Sequence, residues 1–154
     1  MMRYYIADCH FGDEQVISFS HRPFATVEEM DEVMIERWNR TVKISDEVYI
    51  VGDLIHRCTA PEKYLERLNG HLHLIVGNHD RCLQENPSLH HYFDEITNYA
   101  VVHDQHHRLV LFHYPILEWD GFYYGTWHLY GHIHNHPSLT QERIKALPKA
   151  LNCG

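Results

Sequence analysis

The sequence has few cysteines and no long apolar segment. Its four cysteines, Cys9, Cys58, Cys82 and Cys153, form no CxxC pair, so their spacing fits neither a zinc ribbon nor a disulfide framework. No apolar stretch approaches the roughly 18 residues of a transmembrane helix, and the N-terminus lacks the apolar region of a signal peptide. We therefore expect a cytoplasmic protein with reduced thiols and no membrane partner.

A basic surface is also missing. The 154 residues include 13 Lys and Arg against 21 Asp and Glu, which gives a formal net charge of -8. Such a chain is poorly suited to a long polyanion, so we do not expect long nucleic acid as a partner. With 44% hydrophobic residues the chain can form a core, and its length predicts one domain over residues 1–154.

Histidine, in contrast, is abundant, with 16 residues. Five of these histidines fall in short segments that contain only oxygen or imidazole ligands and that each follow an apolar, strand-like run. The segments are Asp8-Cys9-His10, Gly52-Asp53, Gly77-Asn78-His79-Asp80, His113 and Gly131-His132-Ile133-His134. Their order and placement predict a metal-binding hydrolytic site.

The patterns between these segments predict strands that alternate with helices. Strands are predicted over 3–7, 48–51, 72–76, 95–102, 108–112, 127–130 and 145–153, with a hairpin turn at 103–107. Thr26 and Glu29 form a capping box that opens an amphipathic helix, and a second helix is predicted from Thr59 to Asn69-Gly70. This alternation predicts α/β layers, in which ligands collect beyond the carboxyl ends of strands.

The spacing within two segments suggests how their side chains are presented. In extended backbone, Asp8 and His10 would point to one face while Cys9 points into the core. His132 and His134 repeat this spacing. A single DxH or HxH is weak evidence in a histidine-rich chain, so the argument depends on the whole set.

The segment Gly77-Asn78-His79-Asp80 is more informative. Glycine permits a sharp turn at the end of a strand, and Asn78 offers a carbonyl oxygen to a metal. His79 is a potential proton donor, which Asp80 could orient or whose pKa it could raise. We therefore interpret His79 and Asp80 as catalytic residues.

The ordered set, from Asp8 to His134, resembles the calcineurin-like metallophosphoesterase superfamily. Residues 23–30, 38–39 and 48–53 further resemble its small stand-alone bacterial and phage members. The resemblance implies an α/β fold in which a two-sheet β-sandwich core is flanked by helices, in the four-layer arrangement of that superfamily. It also implies a dinuclear metal centre between loops.

The resemblance further implies a role for each ligand. Asp8, His10 and His134 would hold the first metal, Asn78, His113 and His132 the second, and Asp53 would bridge both. His79 would be the catalytic histidine. The ligands suit two divalent ions chosen from Mn, Fe, Zn, Ni and Co, and the absence of thiolate disfavours a structural zinc. The implied activity is hydrolysis of a small phosphomonoester or phosphodiester by a hydroxide shared between the metals.

Two departures from the family pattern concern Asp13 and the C-terminus. The small members often have histidine after Phe-Gly, where this chain has Asp13. They also continue past the equivalent of Asn152-Cys153-Gly154, which indicates a truncation or the lack of a terminal strand. The first departure bears on a substrate contact or proton relay, and the second bears on stability.

Three alternatives remain. A nucleotide or nucleic-acid phosphodiesterase would use the aromatic segment 117–127 as a lid or a base-stacking wall; the segment could equally be core packing. A non-catalytic interaction module would have lost ligands or the catalytic histidine, and a histidine-rich metal store would bind metal with variable stoichiometry. The remaining histidines are best explained as solvated or locally hydrogen-bonded, although His56, Arg57 and Arg81 are placed where each could contact phosphate.

Overall fold

The first half of the chain forms a parallel sheet. A computed structural model describes residues 1–57 and 60–154. Its first sheet has the order β1-β2-β3-β4, with every neighbouring pair parallel. The strands are β1 (Arg3–Ile6), β2 (Glu47–Ile50), β3 (His71–Ile75) and β4 (Glu95–Thr97). The helices between them are α1 (Glu14–Phe19), α2 (Val27–Thr41), α3 (Glu62–Leu65) and α4 (Arg81–Glu85), and a 3₁₀ helix covers Pro87–Tyr92.

The second half forms a second sheet, with the order β5-β6-β7-β8. Its strands are β5 (Ala100–Asp104), β6 (His107–Leu111), β7 (Trp127–Tyr130) and β8 (Ala150–Asn152). β5 and β6 form an antiparallel hairpin, whereas β6, β7 and β8 run parallel. A 3₁₀ helix (Phe122–Tyr124) precedes β7, and helix α5 (Leu139–Lys145) precedes β8.

Two apolar clusters hold these layers together. Between the sheets, Tyr49 and Ile75 pack with Leu109, Leu111 and Leu129. The larger cluster combines strand residues with helix side chains that include Ile35 and Trp38 of α2. This packing confirms the predicted fold class, a mixed α/β structure in which a two-sheet core is flanked by helices.

Helix α2 begins as its sequence predicts. The Thr26 hydroxyl accepts a hydrogen bond from the Glu29 amide at 3.1 Å, and the Glu29 carboxylate accepts one from the Ala25 amide at 2.9 Å. The first bond satisfies an amide of the first turn, and the second satisfies the amide of the residue before the cap. Helix α3 begins at Glu62 after Pro61 and ends at Leu65, so the predicted extent up to Asn69-Gly70 is wrong. The predicted cap at Thr59 lies outside the described residues.

Two predicted strands are wrong in extent. The run 95–102 is divided into β4 and β5, because the chain leaves the first sheet after Thr97 and enters the second at Ala100. The run 145–153 is also not one strand, since α5 ends at Lys145 and β8 covers only Ala150–Asn152. Ser138, whose side chain accepts from the Gln141 amide, caps α5 and is the signal that the pattern reading missed.

The cysteines differ from expectation at one position. Cys9 and Cys153 are free, but Cys82 is disulfide-bonded, so the prediction of reduced thiols is wrong at Cys82. Spacing along a sequence does not report which cysteines a fold brings together, and this limits such predictions. Within residues 1–57 and 60–154, no helix has the length and apolar character needed to cross a membrane.

Candidate metal centre

The predicted ligands meet at one edge of the two sheets. Each ligand segment follows a strand: β1 precedes Asp8 and His10, β2 precedes Asp53, and β3 precedes Asn78; β6 precedes His113, and β7 precedes His132 and His134. These strands run parallel within each sheet, so their carboxyl ends open onto the same cleft. The cleft holds about 260 Å³, and His10, Asp53, Asn78, His79, His132 and His134 are among its lining residues.

Asp53 lies at the centre of the ligand set. Its Oδ2 is 3.2 Å from Nε2 of His113 and 3.6 Å from Nε2 of His10. Potential ligand atoms form three groups in the cleft, each with all atoms within 4.8 Å of one another. These groups are Asp8, His10 and His134; Asp53, His113 and His132; and His10, His56 and His79. The first of these groups contains the three side chains predicted for the first metal position, and the second contains Asp53 with two of the three predicted for the second position; that they bind metals stays a prediction.

Asn78 joins the second group through its side-chain oxygen. Oδ1 of Asn78 lies 3.0 Å from Nε2 of His113 and 2.9 Å from Nδ1 of His132. Nδ1 of His113 donates to the Val51 carbonyl at 2.8 Å, so a neutral His113 ring has its lone pair at Nε2. That lone pair faces two oxygen acceptors, those of Asn78 and Asp53. These three atoms are all electron-pair donors and repel one another, whereas a cation between them would be coordinated by all three.

The pKa shifts of residues in the site also indicate that it stabilises positive charge. Burial lowers the pKa of His113, but the hydrogen bond and negative charge of Asp53 outweigh burial and raise it overall. Burial raises the pKa of Asp53, and His113 in turn holds it below its usual range. Burial also raises the pKa of Asp8 to about 6. A proton on His113 thus partly replaces the charge that a metal would supply.

His10 meets the requirements of a metal ligand in another way. Neither nitrogen of this buried ring has a hydrogen-bond partner among the residues that the structure describes. Burial lowers its pKa to about 4, which keeps the ring neutral near pH 7. A buried imidazole without a partner costs free energy unless something else coordinates it. The donor set of oxygens and neutral imidazoles therefore fits divalent transition metals.

The backbone of the ligand loops is unusual. Five of the predicted metal ligands have a left-handed conformation, with φ of 54° at Asp8, 54° at His10, 57° at Asp53, 71° at His132 and 48° at His134. The expectation of extended backbone at Asp8, His10, His132 and His134 is therefore wrong, although Cys9 is buried as expected. Left-handed non-glycine residues cost about 1–3 kcal/mol each and are concentrated at functional sites.

Neighbouring loops hold this conformation in place. The amide of Asp8 donates to Gly52 O at 3.0 Å, and the amide of His10 donates to Asp53 O at 2.9 Å. Arg22 stabilises the same turn, because its guanidinium donates to Asp8 O at 2.6 Å and to Cys9 O at 2.8 Å. Sequence reasoning missed Arg22. The only available signal was its position directly before Pro23-Phe24, which belongs to the family-like segment.

Glycines allow the ligand loops to approach one another closely. A Cβ added to Gly77 would lie 2.3 Å from Oδ1 of Asp53, and one added to Gly131 would lie 2.7 Å from Oδ2 of Asp8. Real Cβ atoms do not approach other atoms so closely, so larger residues would displace the carboxylates. The glycines that precede Asn78 and His132 therefore each leave room for a carboxylate of a different segment.

His79 and Asp80 occupy different environments. The His79 ring lines the cleft 5.1 Å from the His10 ring, between centroids, while its amide donates to Oδ1 of Asp53 at 2.8 Å. The buried Asp80 carboxylate accepts from the amides of Gly77, Asp53 and Leu54 at 2.6–2.9 Å. Among the described residues, no hydrogen bond joins the Asp80 carboxylate to the His79 ring. Asp80 thus fixes the loops, and its effect on the His79 ring stays a prediction.

The aromatic segment 117–127 does not line the cleft in the described part of the chain. It precedes β7, whereas the ligands follow the other end of that strand. Trp119 is buried and donates to Thr126 O at 2.9 Å, which is core packing. Tyr123 and Tyr124 are 77% and 94% exposed. The aromatic side chain in the cleft is instead Phe19 of α1, a helix that sequence patterns did not predict.

Comparison with known sequences gives a family but no described activity. No protein-family model matches the sequence. The chain is 32% identical over 147 residues to the uncharacterized protein MJ1445 of Methanocaldococcus jannaschii, a match covering 91% of this chain and 76% of that protein. The chain therefore belongs to the same family as MJ1445.

Two solved structures are similar to this one. One is a protein of unknown function, AQ665 from Aquifex aeolicus, with a TM-score of 0.75, 23% identity, and coverage of 99% of this chain and 90% of that chain. This likeness shows a shared fold. The other is the nuclease MPE of Pseudomonas putida, with a TM-score of 0.49, 23% identity, and coverage of 84% and 59%.

Proposed function

We propose that this protein is a metal-dependent phosphoesterase that hydrolyses a phosphomonoester or phosphodiester at a centre of two divalent metals. The observation that carries the proposal is the position of Asp53, whose Oδ2 lies between Nε2 of His10 and Nε2 of His113. A carboxylate between two imidazole groups, each with further ligands, is suited to bridging two cations. Asp8 and His134 would complete the first position, and Asn78 and His132 the second.

The ligands fit two cations better than one. The atoms of Asp8, His10 and His134 form one close group and those of Asp53, His113 and His132 form another, so each position has its own side chains. When bound, the ions would polarise the phosphoryl group and activate a water molecule for attack. The left-handed loops and the buried carboxylates keep the ligands in place before binding, so little reorganisation is required.

His79 is suited to act on the leaving oxygen. Its ring lines the cleft beside His10, and its backbone amide is held by the same carboxylate that would bridge the metals. A protonated ring would donate its proton to the oxygen that leaves phosphorus, and a neutral ring would await reprotonation. Asp80 positions this loop through the Gly77 amide.

The retained site argues against the two non-catalytic alternatives. An interaction module has no need for a buried imidazole whose nitrogens lack hydrogen-bond partners. His10 is 4% exposed, and neither of its ring nitrogens has such a partner among the described residues. A metal store would bind through accessible, variable clusters, whereas these ligands come from ordered loops with strained backbone. The nucleotide alternative loses its original support, since segment 117–127 lies away from the cleft.

An activity screen tests the proposal. The purified chain, stripped with chelator and reloaded with Mn²⁺, Ni²⁺ or Zn²⁺, should hydrolyse p-nitrophenyl phosphate or bis-p-nitrophenyl phosphate. Preference between these esters would distinguish a monoesterase from a diesterase, and nucleotides would be assayed next. Asp94→Asn, on an exposed carboxylate far from the cleft, is a control that should retain activity. A chain that binds two metals and hydrolyses none of these esters would contradict the proposal.

A further inference from the structure

Asp13 uses its two carboxylate oxygens for different purposes. Oδ1 accepts a hydrogen bond from the Gln15 amide at 3.0 Å and thereby caps helix α1. Oδ2 lies 3.2 Å from Nδ1 of His10 and 3.4 Å from Nδ1 of His56. The side chain is buried, with Asp13 only 6% exposed. One oxygen therefore serves the helix, and the other faces two imidazole rings.

The two ring contacts have a consistent orientation. In both rings Nδ1 faces Asp13, and in His10 the opposite nitrogen, Nε2, faces Asp53. Neither contact to Asp13 has the alignment of a hydrogen bond in the structure. Such contacts in catalytic sites are often long or poorly aligned before a ligand binds, and they tighten afterwards. A carboxylate behind Nδ1 fixes the tautomer in which Nε2 carries the free lone pair.

We propose that Asp13 is a positioning residue for the first metal position, in which it orients His10 through Nδ1 and holds His56 at the cleft through the same oxygen. The inference rests on the proposed function, because it concerns metal binding at that centre. It assigns a role to Asp13, the position at which the small members of the resembled superfamily often have histidine after Phe-Gly. It also explains why a buried carboxylate lies next to two Nδ1 atoms that have no hydrogen-bond partner among the described residues.

The geometry predicts an effect on one metal position only. The atoms around the second position, from Asn78, His113 and His132, are anchored by each other and by Val51 O. Asp13 is in contact with His10 but with none of these three in the described part of the structure. Loss of the Asp13 carboxylate should therefore weaken the first position and spare the second. A loss of general stability would not produce this separation.

The test is a titration of the chelator-stripped full chain with Mn²⁺ by isothermal calorimetry. Asp13→Asn keeps an oxygen for the helix cap, since Asn caps helices as well as Asp does, but removes the charged acceptor. We expect the dissociation constant of one position to rise about 10-fold to 100-fold, as for other outer-sphere partners of metal-bound histidine. The other position should be unchanged. Asp13→Ser, which can also cap a helix, repeats the test if the Asn variant folds poorly.

Two further variants identify the route of the effect. Asp94→Asn removes the acceptor of a similar but exposed pair, with His71 Nδ1 at 3.0 Å, and should change neither dissociation constant. His56→Gln retains the contact between Asp13 and His10, so both affinities should persist. If His56→Gln weakens binding as much as Asp13→Asn does, His56 is itself a ligand and the assignment to His10 is overturned.

The outcomes separate this inference from the function on which it rests. A wild-type chain that binds no divalent ion overturns the proposed function together with the role of Asp13. A wild-type chain that binds two ions, with unchanged affinities in folded Asp13→Asn and Asp13→Ser, overturns the role of Asp13 alone. Equal weakening of both positions would indicate a general loss of structure and would also overturn it.

Discussion

Gly52 lies directly against the ring of His113, so that a Cβ added to Gly52 would be 2.1 Å from Nδ1. That nitrogen donates to the Val51 carbonyl, and this bond sets the direction of Nε2. The backbone of Gly52 also has φ of 90°, which side chains rarely tolerate. Both residues of the Gly-Asp pair at the end of β2 thus act on His113, because Gly52 makes room for its ring and Asp53 contacts its Nε2.

Gly52→Ala should therefore weaken the second metal position and lower stability. Strain at this φ costs about 1–3 kcal/mol, and displacement of His113 adds to it. Gly125→Ala is a matched control, since Gly125 has φ of 89° but its added Cβ would meet only Lys149 Nζ at 3.0 Å. Calorimetric titration should find weakened metal binding in Gly52→Ala alone. Equal affinities in both variants would contradict the close packing.

Metal binding should stabilise the folded chain. Asp8 and Asp53 are buried carboxylates in one cleft, and burial raises the pKa of Asp8 to about 6, so a cation relieves an unfavourable charge. At a free metal concentration 100 times the dissociation constant, the gain is about 2.7 kcal/mol per site. For a chain of this size, the gain from one occupied site should raise Tm by roughly 5–10 °C. Scanning calorimetry with Mn²⁺ against EDTA measures the shift, and an unchanged Tm with every metal tested would count against the site.

Which side chains meet in the cleft was largely predictable from the sequence, and their geometry was not. Ligand types, their order and their positions after apolar runs are local properties that the sequence carries. The left-handed backbone at Asp8 and His132 depends on hydrogen bonds between loops that are far apart in sequence, such as the 3.0 Å bond from the His132 amide to Asp8 Oδ1. For the same reason the bond from Arg22 to the Asp8 carbonyl had no local signal.

For the fold, too, local patterns were predicted and long-range arrangement was not. Strands β1, β2 and β3 were predicted because they are short apolar runs between helical patterns. The exit from the first sheet between Thr97 and Ala100 was missed, since a run of strand-forming residues does not reveal which sheet each part joins. Helix α1 was missed because it has only six residues. Its omission also concealed Phe19, the aromatic residue that lines the cleft.

Phe19 should contribute to the binding of aromatic esters. Its side chain is 58% exposed, and its ring lies 5.7 Å from that of His134, edge to face. Stacking of a nucleobase or similar ring is worth roughly 1–3 kcal/mol, so Phe19→Ala should raise KM for such esters about 5-fold to 150-fold. Small alkyl phosphates should be spared. Tyr124→Ala, at a 94% exposed residue away from the cleft, is the control; equal effects of both substitutions would exclude a role for Phe19.

Asp53→Asn should remove both metals. Both groups of ligands meet at its carboxylate, and the substitution removes the negative charge that would be shared between the two cations. We expect metal content, measured by mass spectrometry of the dialysed protein, to fall along with activity. Asp94→Asn again provides an exposed control. Two tightly bound ions with near-normal turnover in Asp53→Asn would refute the bridging role.

His79→Gln should retain both metals and lose activity in a way that depends on the leaving group. The ring lines the cleft and groups with His10 and His56 but not with Asp8 or Asp53, so its loss should leave the two proposed metal positions intact. A basic alkoxide needs a proton as it leaves, so its hydrolysis should slow by about 10²–10⁴-fold. An acidic nitrophenol leaves without a proton and should slow much less.

Measurement of kcat/KM for an alkyl ester and a nitrophenyl ester, with metal content checked in each preparation, decides between roles for His79. A larger loss on the alkyl ester supports proton donation by the ring. An equal loss on both esters would leave His79 with electrostatic stabilisation only, since the charge developing on phosphoryl oxygens is common to both reactions. Loss of a metal would instead make His79 a ligand, in keeping with its ring nitrogen lying within 4.8 Å of those of His10 and His56.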